Sequence, residues 1–177
     1  MKITYFVHSI TTDNESGIAT GWLPGELSDK GIARAELLAP DLRARGFDAV
    51  FSSDLQRARQ TTELFFGDTL PVFLDWRLRE CNYGDFDGTL ATTFKMEREQ
   101  DFIETSYPGG ECYLDVEQRV RSFLDDAQNL FDGNHIAIVS HQAPQLAMDV
   151  ILRGMSWEEA IANDWRKRGN WQAGWEY

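Results

Sequence analysis

The chain has 177 residues, 42% of them hydrophobic, and a formal net charge of −12. That length suits one domain with a real core, and no apolar run reaches the roughly 18 residues that crossing a bilayer requires. The acidic balance opposes binding to a nucleic-acid backbone or an anionic membrane, so an anionic ligand must be met by a local concentration of cations and N–H donors.

In chain order, Lys2 to His8 (KITYFVH) reads as a buried strand, and Asp13 to Gly25 as a loop rich in Asn, Ser, Thr and Gly. Ser28 is a helix cap for a segment running toward Arg45, with Ile32, Ala35, Leu38 and Leu42 on one face; Pro40 is expected to kink or split it, and Gly46 to stop it. Phe47 to Phe51 is a second strand, followed by a helix capped by Ser53 or Asp54 that ends near Gly67. Pro71 to Leu74 is a short strand, placed at an edge or starting at the proline. Residues 81 to 88 are loop, Thr89 to about Ile103 is expected to be helical, and Tyr107 to Gly110 (YPGG) is a turn. Val116, Val120, Phe123, Ala127 and Leu130 mark a helix over Tyr113 to Phe131. His135 to Ser140 (HIAIVS) is a β-branched strand, Pro144 suits the first turn of the helix after it, and Trp157 to Ala162 forms one more short helix before a Trp-rich tail. Alternating strands and helices predict an α/β fold: three layers, α/β/α, around a mostly parallel central sheet, in a single domain over 1–177.

In such sheets ligands bind beyond the carboxyl ends of the strands. That rule places His8 and His141 at one edge and sends His135, which begins its strand, to the other. Arg57, in the first turn of the helix after the second strand, brings a guanidinium to the same edge, and the turns at Ser53 and Ala143 are expected to aim backbone N–H groups there. Two histidines, an arginine and two helix N-termini make a phosphate pocket. Cys81 and Cys112 form no CxxC pair and read as free thiols. With an N-terminal apolar stretch too short for a secretory signal, the expected location is cytoplasmic. Trp157, Trp165, Trp171 and Trp175 are expected to cover the sheet or its edge, with a lid over the ligand as the other option.

Short strings in fixed order add a resemblance over nearly the whole chain. These are Val7-His8-Ser9 followed by Thr11 and Asn14, GELSDKG (25–31), SSDLQRARQT (52–61), LRECNYGDFDG (78–88), PGGE (108–111) and VSH (139–141). Together they resemble the histidine phosphatase, or phosphoglycerate mutase-like, superfamily. The resemblance implies a phosphatase that hydrolyses a small phosphate monoester in two steps, with His8 becoming phosphohistidine and water then releasing phosphate. It implies that Arg57 clamps the phosphoryl oxygens, that a protonated His141 stabilises the same charge, and that Glu80 protonates the leaving oxygen and later activates water. Ser9, Thr11, Asn14 and Gln142 are the further phosphate- or substrate-binding candidates. No metal or other cofactor is implied, no nucleic acid or membrane partner is expected, and a homodimer stays open.

The string departs from the family at its first position. Val7 stands where the family carries an arginine, and a valine cannot bond phosphate; one lost transition-state donor costs roughly a hundred- to a thousand-fold in rate. Ser9 replaces a glycine, and Gln142 and Ala143 replace two more. Ser9, Thr11, Thr12, Arg79 or Lys30 are candidates for the missing donor. The alternative is a catalytically weakened module that binds a phospho-ligand. A mutase is a third option that this short chain leaves little room for.

Overall fold

A computed structural model describes residues 1–94, 98–169 and 172–177. Strand β1 (Lys2–Val7) leads into a one-turn helix α1 (Thr12–Ser16) and a two-residue strand β2 (Ile18–Ala19). Helix α2 (Asp29–Arg43), strand β3 (Ala49–Ser52), helix α3 (Gln56–Phe66) and strand β4 (Val72–Leu74) follow. Strand β5 (Thr89–Leu90) pairs with β2 as a small antiparallel ribbon. The C-terminal half holds α4 (Tyr113–Leu130), β6 (His135–Ser140), α5 (Gln142–Arg153), α6 (Trp157–Ala162), α7 (Trp165–Arg168) and β7 (Trp175–Glu176).

The central sheet runs β4-β3-β6-β1-β7. Its first four strands are parallel and β7 closes one edge antiparallel to β1. Side-chain alternation splits the core in two. Tyr5, Ile136 and Ile138 face α4 and α5 with Val120, Phe123 and Leu146. Phe6, Ala137 and Val139 face α2 and α3 with Ala35, Leu42, Phe65 and Phe66. A strand buried on both faces has no polar face to show, which is why HIAIVS is apolar almost throughout.

Four expectations need correction. Thr89 to Ile103 is not one helix: β5 occupies its start and short 3-10 turns lie at Ala91–Thr93 and Glu99–Phe102, with residues 95–97 outside the described set. There Phe94 and Phe102 are buried against Tyr107 rather than lined along a helix face. Asp13 to Gly25 is not all loop, because Thr11 caps α1 and β2 pairs with β5. Pro40 does not split α2, which runs through it from Asp29 to Arg43; both Pro40 and Glu36, whose carbonyl lacks the proline's N–H, are exposed to solvent. The cap of α3 is Leu55, with Ser53 Oγ instead accepting from Leu55 N one turn earlier.

The segment after β1 is clamped by α2. Ser28 N donates to Ile10 O at 3.0 Å and Ser9 Oγ to Gly31 O at 2.7 Å. A Cβ on Gly31 would come within 2.0 Å of Ile10 O, so only glycine allows this approach. Gly31→Ala therefore forces two backbones apart. It should cost about 3 kcal/mol in urea unfolding; a loss below about 0.5 kcal/mol, ordinary for a neutral surface change, would show that the contact does not constrain the fold.

Candidate active site

The register of β1 against β6 sets Val7 opposite Ser140, and His8 N donates to Ser140 O at 2.9 Å. The residues that follow both strands, His8 and His141, thus emerge at the same edge with ring centroids 5.1 Å apart. His8 Nδ1 lies 2.7 Å from Ser9 O. A carbonyl only accepts, so Nδ1 carries the proton. Arg57 Nε donates to His8 Nε2 at 3.3 Å, which makes that nitrogen the acceptor. In this tautomer Nε2 keeps its lone pair, which becomes available for attack, as a nucleophile requires, when Arg57 Nε releases it.

Arg57 is 2% exposed. Its remaining donors reach Leu23 O at 3.0 Å, Gly21 O at 2.8 Å and, more weakly, Pro24 O at 3.5 Å. Burial pulls its pKa down, and the negative charge of Glu80 opposes that shift. The loop carrying those carbonyls is fixed in turn by Asp87, which accepts from Trp22 N and Tyr83 N, each at 3.1 Å. Burial raises the Asp87 pKa against the pull of these bonds.

Glu80 is buried, and its Oε1 accepts from Cys81 N at 2.9 Å and Ala143 N at 3.0 Å. The N-terminus of α5, expected to hold a ligand anion, therefore holds the carboxylate of Glu80. The other turn is also occupied, since Ser53 N donates to Val139 O. Arg119 pins the segment before Glu80 by donating to the carbonyls of Arg77, Arg79 and Glu80 at 2.7, 2.7 and 3.0 Å, and Glu111 balances its charge at 2.9 Å. His141 is fully buried; its Nε2 lies 2.8 Å from Ser53 Oγ and its carbonyl accepts from Tyr5 Oη at 2.8 Å.

A cavity of about 410 Å³ opens beside these groups, lined among others by His8, Asn14, Arg57, Glu80, Gln142 and Trp165. His141 lies outside that lining. The Ser9 hydroxyl is given to Gly31 O, while Thr11 and Asn14 cap α1 reciprocally, each side chain accepting from the other's backbone N–H. Gln142 Nε2 donates to Asp164 at 3.0 Å. Trp157 and Trp175 are buried in the core, Trp165 lines the cavity, and Trp171 lies outside the described residues. His135, at the far edge, bonds Thr4 Oγ1 at 2.8 Å.

Sequence reasoning overlooked Trp22, Asp87 and Arg119. Arg119 left a signal: it falls three residues after Val116, on the buried face of α4, where a charge needs partners. Asp87 falls inside the 78–88 string but nothing local marks its role, and Trp22 left no signal, because the contact between them joins loops far apart in sequence.

A parallel-sheet edge presenting a histidine ring beside a buried arginine and a buried glutamate is the kind of arrangement that phosphoryl transfer uses. The model of the histidine phosphatase superfamily (branch 1) matches residues 6–168, and the chain belongs to that superfamily. The chain is 28% identical to phosphoserine phosphatase 1 of Hydrogenobacter thermophilus, over 88% of this chain and 77% of that one. It is 32% identical to a 2,3-bisphosphoglycerate-dependent phosphoglycerate mutase of Cytophaga hutchinsonii, over 86% of this chain and 77% of the other. Among solved structures, a mycobacterial glucosyl-3-phosphoglycerate phosphatase complexed with VO3 superposes with a TM-score of 0.81 at 26% identity, covering 91% of this chain and 86% of its own. The α-ribazole phosphatase of Shigella flexneri gives a TM-score of 0.79 at 28% identity, covering 92% and 84%.

Beside the site, Arg79 grips Asp54 through two bonds of 2.7 and 2.6 Å and stacks on Trp22 at 4.8 Å. Hydrogen bonding to Arg79 lowers the Asp54 pKa. The folded-state pKa lies below the unfolded one, so the pair's stabilisation is complete above the unfolded carboxylate pKa of about 3.9 and is lost as pH falls through the folded value. Asp54→Asn should cost about 0.5 to 1 kcal/mol at pH 7, the scale of a partly exposed pair. The gap to the parent protein should close in urea titrations carried below the folded pKa; a gap that persisted unchanged there would exclude the charge as its source.

Proposed function

We propose that the protein is a metal-independent phosphatase that hydrolyses a small phosphate monoester through a phosphohistidine on His8. The observation that carries this reading is the state of the His8 ring: Nδ1 is held as a donor to Ser9 O and Nε2 is an acceptor beside Arg57, on the wall of the cavity. Nε2 attacks phosphorus, the P–N bond forms as the ester P–O bond breaks, and the leaving oxygen takes a proton from the Glu80 carboxyl. Water then attacks phosphorus, Glu80 takes the water proton, and the P–N bond breaks to free inorganic phosphate. Arg57 draws on the charge of the equatorial oxygens. Ring proximity lets a protonated His141 act on the same charge.

The cavity size favours a small ester, and the net charge of −12 favours a soluble substrate over a nucleic acid or a membrane, in the cytoplasm. Phosphatases of several small esters among the relatives support hydrolysis without naming the substrate. Val7 supports a second reading, a phospho-ligand binding module with little turnover.

An aryl phosphate assayed with chelator present separates the two. Turnover should survive the chelator and vanish in His8→Ala, and an alkaline quench of the parent protein during turnover should retain a phosphoenzyme that acid removes. Glu80→Gln should lower kcat by about a hundredfold or more. Turnover that His8→Ala retains would end the proposal, and phosphate binding without turnover on any ester would favour the binding module.

A further inference from the structure

Val7 leaves the phosphoryl group one cation short of the family pattern, in a chain of net charge −12. The cavity wall carries two more guanidinium groups, Arg34 and Arg166. Arg166 belongs to α7. Arg34 belongs to α2, the helix whose first turn is fastened to the backbone just after His8 by the Ser9–Gly31 and Ser28–Ile10 bonds.

Helix geometry directs Arg34 to that place. Gly31, Arg34 and Leu38 fall at i, i+3 and i+7, on one face. Gly31 is the residue in backbone contact with Ile10. Long helical side chains lean toward the helix N-terminus, so the Arg34 stem leads back toward Ser9 and Ile10. Arg34 is half-buried, and Arg34 and Leu38 line the same cavity as Val7, His8 and Ser9.

We propose that Arg34 supplies, from α2, the second guanidinium for the phosphoryl group at His8, the charge that position 7 does not provide in this chain. The inference rests on the phosphatase reading for its catalytic meaning, but it concerns phosphate binding and is tested on that directly. A charge-assisted bond from a guanidinium to a phosphoryl oxygen serves both the bound ester and the transition state, in which the equatorial oxygens carry the charge.

The experiment titrates inorganic phosphate by calorimetry and measures aryl phosphate turnover for the parent protein, Arg34→Ala, Arg34→Lys and the double variant Val7→Arg/Arg34→Ala. Thermal melts show which variants are folded, and Arg34→Lys carries the comparison should the alanine variant fail to fold. Arg34→Ala should weaken phosphate about tenfold or more and lower kcat about a hundredfold. Arg34→Lys should fall between, because it keeps the charge and loses the fork. The double variant should regain at least about tenfold in kcat over Arg34→Ala, the non-additivity expected of two groups serving one site. Phosphate affinity within twofold of the parent in a folded Arg34→Ala would overturn the proposal, whether or not KM for the ester rises, since a rise in KM alone would assign Arg34 to the leaving group. If the parent binds phosphate but turns over no ester, the phosphatase reading fails while the titration still decides the role of Arg34. A parent protein that binds no phosphate overturns both.

Discussion

The parallel pairing of β1 with β6 is the constraint on which the site depends. Six residue pairs, from Lys2 opposite His135 to Val7 opposite Ser140, fix where both strands stop. Because the pairing is parallel, both stop at the same edge, and the next residue of each is a histidine. A shift of one residue would turn every side chain of β1 to the other face, burying Lys2, Thr4 and Phe6 where Ile3, Tyr5 and Val7 pack. The hydrophobic core thus holds the two rings in register. Tyr5 strengthens the arrangement from within β1, donating its hydroxyl to the carbonyl of His141.

Around that edge the polar groups are arranged in layers. Arg57 and Arg119 are both buried, and both spend most of their donors on backbone carbonyls. A buried guanidinium without such partners costs several kcal/mol, so each arginine dictates the path of the loop that surrounds it. Arg57 shapes the loop at Gly21 to Pro24, and Arg119 shapes the segment that delivers Glu80. A Cβ on Gly110 would come within 2.2 Å of Asn82 O, so the PGG turn is pressed onto the same segment from the other side. The carboxylate then completes its position on the N–H groups of Cys81 and Ala143. The charged groups of the site are therefore oriented by backbone, which moves less than side chains and keeps the geometry ready before a substrate arrives.

What could be read from the sequence follows the same division. The HIAIVS and KITYFV strands, the α4 periodicity and the ends of α2 and α6 announce themselves through burial and capping, which are local properties. The alignment of His8 with His141 needed only the strand ends and the parallel-sheet rule. Residues 89 to 103 misled because Phe94 and Phe102 are held by Tyr107, beyond the segment, in a contact that helical spacing does not reveal. Ser9 and Thr11 are polar residues at family positions, and their hydroxyls read equally as ligands or as backbone partners; the clamp of α2 on Ile10 and the capping of α1 occupy them. Arg34 reads as one more solvated helix arginine until α2 is docked, and only then does its face meet the segment beyond β1.

Moving a cation from a strand to a helix changes more than its address. An arginine at position 7 would be anchored in the ladder, with its backbone fixed against β6. A guanidinium reaching from α2 spans more of its own flexible stem, and ordering that stem has an entropic cost, up to about 2 kcal/mol for a fully immobilised arginine side chain. The fork also arrives from the side of the helix, where its angle to the phosphoryl oxygens depends on how tightly α2 is held against Ile10. The glycine at position 31 and the Ser9 hydroxyl are what hold it. On the proposal for Arg34, positions 7 and 9 act together: Ser9 fastens α2 to the segment after β1, and the fastened helix carries the charge that position 7 lacks.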